Sequence, residues 1–170
     1  KVAVNVSDSS GTEKIREMRA VLAEYLERKG AEKPALTFYA VGHSHLDLAW
    51  LWPIRETKRK AGRTFSTALA NIQDYPDYIY GASQPQQFEW MKEQYPRLFE
   101  KIKEQVAAGK IEVQGGMWVE PDTNITGGES LIRQFYYGKK FWKDEFSKDV
   151  NTLWLPDVFG FTGALPQIMK

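Results

Sequence analysis

The strongest constraint on this chain is a repeated alternation of short apolar runs, polar clusters and helix-period segments. Residues 34–41, 78–82, 111–114 and 152–155 read as strands. Segments 55–74, 87–94, 97–108 and 129–146 read as helices. Ala61, Phe65, Ala68, Leu69 and Ile72 recur at helical spacing in the first of these, and Leu131, Phe135, Trp142 and Phe146 face inward in the last. A further helix is expected from Thr162. Strands alternating with helices predict an α/β architecture: a parallel sheet with right-handed crossovers and flanking helices. In such sheets ligands bind beyond the carboxyl ends of the strands. The polar clusters all fall there: His45/Asp47, Gln84/Gln86, Asp122/Asn124 and Asp157. They are expected to share one edge and therefore one cleft.

The stretch His43-Ser44-His45-Leu46-Asp47-Leu48-Ala49-Trp50-Leu51-Trp52 holds both histidines of the chain, a carboxylate and two tryptophans. In extended backbone, residues two apart point to the same side, so His45 and Asp47 can meet one cation, with His43 on that side too. A lone His-x-Asp is weak evidence, because a strand-end histidine bonded to a carbonyl is a common structural feature. The neighbouring tryptophans suit the apolar faces of a sugar, although two tryptophans in an apolar run also suit a core. The loop at 115–128 carries Glu120-Pro121-Asp122-Thr123-Asn124. There Asp122 is the second candidate chemical group, although Glu120 or Asp122 can equally serve only as a turn and helix cap.

Composition narrows the partners. A chain of 170 residues, 42% hydrophobic, can bury a real core. Its net charge of +1 and lack of a basic stripe speak against nucleic acid. No apolar run approaches the roughly 20 residues of a spanning helix, so no membrane partner is expected. Without cysteine, any metal must be held by nitrogen and oxygen; a cytoplasmic location is compatible with this composition. Before the alternating region, residues 1–6 alternate like a strand and 7–11 read as a linker. Thr12 would then cap a helix with Ile15, Met18, Leu22, Tyr25 and Leu26 on one face, ended by Gly30. The sequons at Asn5 and Asn124 are short enough to arise by chance. The βα units are too few for the ~200 residues or more of a complete α/β barrel, so the chain reads as a piece.

Four strings carry a family resemblance: AVGHSHLDLAWLW, SQPQQFEWMKEQYP, IEVQGGMWVEPDTNITGGESLIRQ and WLPDVFGFTGALPQIM. In this order they closely resemble the start of the catalytic domain of glycoside hydrolase family 38 α-mannosidases. The resemblance runs from about residue 36 to the end and looks most like the bacterial and cytosolic-type branch. It implies that residues 34–170 are the N-terminal portion of a seven-stranded α/β barrel, incomplete on its C-terminal side. Residues 1–33 would then be the tail of a preceding domain. It further implies hydrolysis of α-mannosides with retained configuration, through a covalent mannosyl-enzyme, with zinc or in some members cobalt at the site.

Carried onto this sequence, the resemblance makes His45 and Asp47 metal ligands. Asp122 becomes both ligand and nucleophile, Trp50 a wall of the mannose subsite, and Asp157 a residue of the sugar-binding edge. His43 matches a motif residue that is not a ligand, and Phe161 departs from relatives that carry histidine there. The family's last metal-binding histidine and its acid/base aspartate would lie further along, as no histidine follows His45. The expected partners are mannosides and mannose-containing oligosaccharides, and a homo-oligomer is compatible with this reading. Two alternatives stay open: a metal-dependent carbohydrate deacetylase, and a non-catalytic glycan-binding module with a metal.

Overall fold

The structure is a computed structural model that describes residues 9–27 and 36–170. It divides into two compact units, Lys1–Tyr39 and Ala40–Lys170. In the first, helix α1 spans Ser9–Glu27. It is already running three residues before Thr12, so Thr12 is not its cap, and the expected linker at 7–11 is helical from Ser9 onward. The expected strand at 1–6 and the stop at Gly30 lie outside the described residues.

The second unit is a three-stranded parallel sheet with helices between its strands. Strand β1 is Gly42–His43, β2 is Tyr80–Ala82 and β3 is Ile111–Val113, in the order β1-β2-β3. Register pairs Gly42 with Tyr80, His43 with Gly81, and Tyr80 with Ile111. Helix α2 (Ile54–Asp74) joins β1 to β2, while α3 (Pro85–Gln94) and α4 (Pro96–Ala107) join β2 to β3. Helix α5 (Gly128–Phe146) and the short α6 (Leu165–Met169) follow. A proline stands at the start of α3 and of α4, where its missing N–H has no helical partner to lose.

Two expected strands differ. Residues 36–41 form no strand, and Leu36, Phe38 and Tyr39 are largely exposed; residues 34 and 35 lie outside the described part. An apolar run becomes a strand only where a neighbour takes up its backbone hydrogen bonds, and pairing in this sheet starts at Gly42. Residues 152–155 form no strand either. The chain turns at Gly115, whose φ of +70° favours glycine, and one backbone bond, Gly116 N–H to Thr152 O at 3.0 Å, joins the two segments. A cavity of about 400 Å³ lies beside this junction, lined by Ile111, Val113, Gln114, Val150 and Thr152, among others.

The core follows the helical pattern read from the sequence. Phe65, Ala61 and Ala68 of α2, Phe88 and Met91 of α3, and Phe99, Ile102 and Val106 of α4 pack with Tyr80, Ile111 and Trp142. Phe88 is a hub, with ring centroids 4.8 Å from Phe65, 4.9 Å from Trp142 and 5.5 Å from Phe146, all edge-to-face. The fully buried Trp142 donates its indole N–H to Gly115 O at 2.9 Å, tying α5 to the end of β3.

Helix α5 crosses the loop after β3 so closely that Gly138 has no room for a side chain. A Cβ there would meet the carbonyl oxygen of Gly116 and lie 2.6 Å from Met117 C and 2.8 Å from Trp118 N. Helix propensity alone favours Ala over Gly by ~1 kcal/mol. Gly138→Ala is nevertheless expected to destabilise the protein by about 1–3 kcal/mol through overpacking, whereas Gly128→Ala, with open space around it, should not. Denaturant titration of the two variants checks the contrast.

Candidate functional site

The loops after β1, β2 and β3 meet the segment around Asp157 at the carboxyl edge of the sheet. Each junction is a side chain of one loop bonded to another. Gln84, held at φ +62°, donates Nε2–H to Leu46 O at 3.0 Å and accepts from Glu120 N–H at 3.5 Å. Trp118 Nε1–H donates to Gln86 Oε1 at 3.2 Å. Asn124 Nδ2 donates to Phe159 O at 3.0 Å, and Thr162 N–H donates to Thr123 Oγ1 at 3.1 Å. The four polar clusters expected to share an edge do so.

Within the first loop, Thr57 acts as a clamp reaching back from α2. Its fully buried hydroxyl accepts from Trp52 Nε1–H at 2.9 Å and donates to Leu48 O at 2.6 Å, with Asp47 O at 3.1 Å. This holds the backbone that carries Asp47. Trp52 is further covered by the Lys60 ammonium, 3.4 Å from its ring centroid.

His43 is a satisfied structural histidine. Its Nδ1 faces Gly81 O at 3.0 Å, and its Nε2 accepts from Trp154 Nε1–H at 3.1 Å. Both nitrogens are therefore engaged.

His45 is different. Its Nδ1 lies 2.5 Å from Glu120 Oε2, and its Nε2 lies 3.3 Å from Asp47 Oδ1 and 3.4 Å from Asp157 Oδ2. Burial alone would lower the imidazole pKa, but the charge and hydrogen bond of Glu120, and then those of Asp47, outweigh it and raise it above its ordinary value. The ring therefore sits where positive charge is favoured. One ligand atom from each of His45, Asp47 and Asp157 lies within 4.8 Å of the others. Ligand atoms about 2.0–2.1 Å from a tetrahedral zinc are themselves about 3.3 Å apart, close to the two distances found. One imidazole nitrogen and two carboxylates, with no thiolate, fit a borderline or hard divalent cation.

The site residues expected from the sequence are thus only partly gathered. Among the described residues, His45, Asp47 and Asp157 come together, and Asp122 is not in that group. Its Oδ1 accepts from Asn124 N–H at 2.9 Å, and its carbonyl accepts from Thr126 Oγ1 at 2.6 Å, a local turn. Trp50 is 68% exposed and edge-on to Trp52, with ring centroids 5.7 Å apart, so it is not a core residue of this chain. The side chain that sequence reasoning undervalued is Glu120, considered there as a cap. No local signal marks it, because its partner His45 lies 75 positions away.

Comparison with known proteins identifies the class to which this architecture belongs. The family described as glycosyl hydrolases family 38 N-terminal domain matches residues 35–170. The chain belongs to this family. Among its relatives, Alpha-mannosidase 2C1 of Mus musculus is 41% identical over 98% of this chain, and the Alpha-mannosidase of Saccharomyces cerevisiae is 37% identical over 96%. The chain spans 16% of the length of each. A crystal structure of an alpha-mannosidase from Enterococcus faecalis V583 superposes with a TM-score of 0.69 at 26% identity, covering 76% of this chain and 15% of that one. No helix among the described residues is long and apolar enough to cross a membrane.

The Thr57 clamp is directly testable. Thr57→Val keeps the volume but leaves Trp52 Nε1–H and the carbonyl of Leu48 without their buried partner. It is expected to cost about 1–3 kcal/mol of stability, measured by denaturant unfolding. An unchanged unfolding free energy would mean that the clamp carries no weight.

Proposed function

We propose that this chain forms one side of the active site of a retaining α-mannosidase that uses a divalent metal, zinc or cobalt, to engage mannose. The observation that carries the reading is the opposition of His45 Nε2 to the Asp47 and Asp157 carboxylates, in a chain of family 38 whose relatives are named alpha-mannosidases. Residues 34–170 would be the N-terminal portion of a seven-stranded α/β barrel, and residues 1–33 the tail of a preceding domain. An exposed edge at β1 and the single backbone bond between 116 and 152 fit a sheet that pairs with further strands. A cytoplasmic setting follows from the resemblance to the cytosolic-type branch.

In this proposal His45 and Asp47 hold the metal, Asp157 lies at the sugar-binding edge beside them, and Trp50 offers an aromatic face to the mannose ring. When bound, the metal orients vicinal sugar hydroxyls and stabilises charge that develops in the transition state. Asp122 is the nucleophile. The bond from Asn124 N–H to Oδ1 orients its carboxylate and leaves Oδ2 for attack on the anomeric carbon. As that C–O bond forms, the bond to the leaving oxygen breaks, and this oxygen takes a proton from a carboxylic acid roughly 5–5.5 Å from the nucleophile. Water then releases mannose with its configuration retained.

Three outcomes are expected in the full-length protein. A fluoro-mannoside that traps the covalent intermediate labels the peptide containing residues 118–124 at Asp122, and Asp122→Asn abolishes turnover; a label on another carboxylate rules out the assignment. His45→Ala lowers metal affinity by more than about 100-fold, since loss even of an indirect partner costs 10–100-fold; unchanged metal content counts against the site. Trp50→Ala leaves the unfolding midpoint in place but lowers kcat/KM for an aryl mannoside by about tenfold, the equivalent of ~1.4 kcal/mol of stacking. Release of acetate without mannose would instead indicate a deacetylase, and tight mannoside binding without turnover a sugar-binding module.

A further inference from the structure

We propose that Glu120 is the positioning residue of this site: it accepts the Nδ1–H of His45 and so leaves the Nε2 of the same ring, beside the Asp47 and Asp157 carboxylates, free to take a cation. The inference rests on the reading of His45 as a metal ligand and goes one shell further out. The side chain of Glu120 is 3% exposed, and a carboxylate that deeply buried requires donors on its oxygens. Two donors supply them, one to each oxygen: Ser83 Oγ–H to Oε1 at 2.6 Å and His45 Nδ1–H to Oε2 at 2.5 Å. The donor loop is itself held in place. Gln84, next to Ser83, adopts left-handed backbone while its side chain spans from Leu46 to Glu120.

A neutral imidazole carries one proton, so a bond at one nitrogen decides what the other offers. With Nδ1–H given to Glu120, Nε2 has its lone pair directed at a point flanked by Asp47 Oδ1 at 3.3 Å and Asp157 Oδ2 at 3.4 Å. Without Glu120, the other tautomer becomes accessible and would aim a proton at the cation. The negative charge behind the ring also makes Nε2 a stronger donor. A structural role alone, such as filling space beneath the loop after β1, would require neither the charge of Glu120 nor its alignment with Nδ1.

The test uses the full-length protein, with zinc removed by chelation and returned in competition with a chromophoric chelator. His45→Ala is the benchmark. Glu120→Leu, which keeps bulk but removes the acceptor, is expected to weaken zinc binding by about ten- to a hundredfold. Glu120→Gln, which keeps an acceptor but loses the charge, should fall between it and wild type. In the metal-free protein, long-range 1H–15N spectra taken where the ring is neutral should show His45 protonated at Nδ1 in wild type and at Nε2 in Glu120→Leu. If His45→Ala weakens zinc but both Glu120 variants bind it as wild type does, the positioning role is refuted and the metal site stands. If His45→Ala leaves zinc affinity unchanged, the metal reading fails and this proposal with it. Should Glu120→Leu not fold, Glu120→Gln decides: zinc affinity and cobalt(II) absorption identical to wild type would overturn the proposal.

Discussion

The site depends on a crowding of carboxylates around one imidazole that the fold must maintain. An imidazole lone pair and two carboxylates, on residues 45, 47 and 157, are held within 4.8 Å of one another. The two carboxylates repel each other, and positive charge, on the imidazole ring or on a cation, offsets that repulsion. They stay together because each rides on a loop that is bonded to another loop. Thr57 ties down the backbone at Asp47 and Leu48. Gln84 joins Leu46 to Glu120, and Asn124 and Thr123 join the third loop to the segment that follows Asp157.

The helices provide the rigidity behind those loops. Phe88 and Trp142 bring α3 and α5 against the sheet, and the close crossing at Gly138 sets the height of the loop that carries Glu120 and Asp122. The aromatic core contributes the larger free energy of burial, on the order of 1.5–3 kcal/mol for each large apolar side chain removed from water. The polar junctions contribute less individually, about 0.5–1.5 kcal/mol each. What they add is direction. Left-handed backbone at Gln84, a cost of order 1–3 kcal/mol for a residue with a side chain, persists where its surroundings hold it there. Here those surroundings are the two loops that its amide bridges.

The two histidines show how one sequence pattern separates into two roles. His43 lies in β1, where one ring nitrogen meets the neighbouring strand at Gly81 and the other receives the Trp154 indole. His45 lies two residues beyond, past the end of pairing, so its ring faces loop side chains instead of backbone. Burial and partner charge act on it in opposite directions, and the carboxylates prevail.

The sequence by itself determined most of the helices, the parallel sense of the sheet and the edge at which polar residues collect. These follow from local periodicity: Ala61, Phe65 and Ala68 on one helical face, and strand runs that end in His45 and Gln84. Short-range pattern is enough where a residue's role is to be inside or outside. Only the tertiary structure decided that Glu120 stands behind His45, that Asp157 joins Asp47, and that residues 36–41 and 152–155 are not strands. Glu120 and His45 are 75 positions apart, and no periodicity encodes which acceptor meets which ring nitrogen. A run such as 152–155 has strand composition whether or not a neighbour pairs with it. Pairing is decided by the turn at Gly115 and by the space between segments, properties of the assembled chain and not of its local sequence.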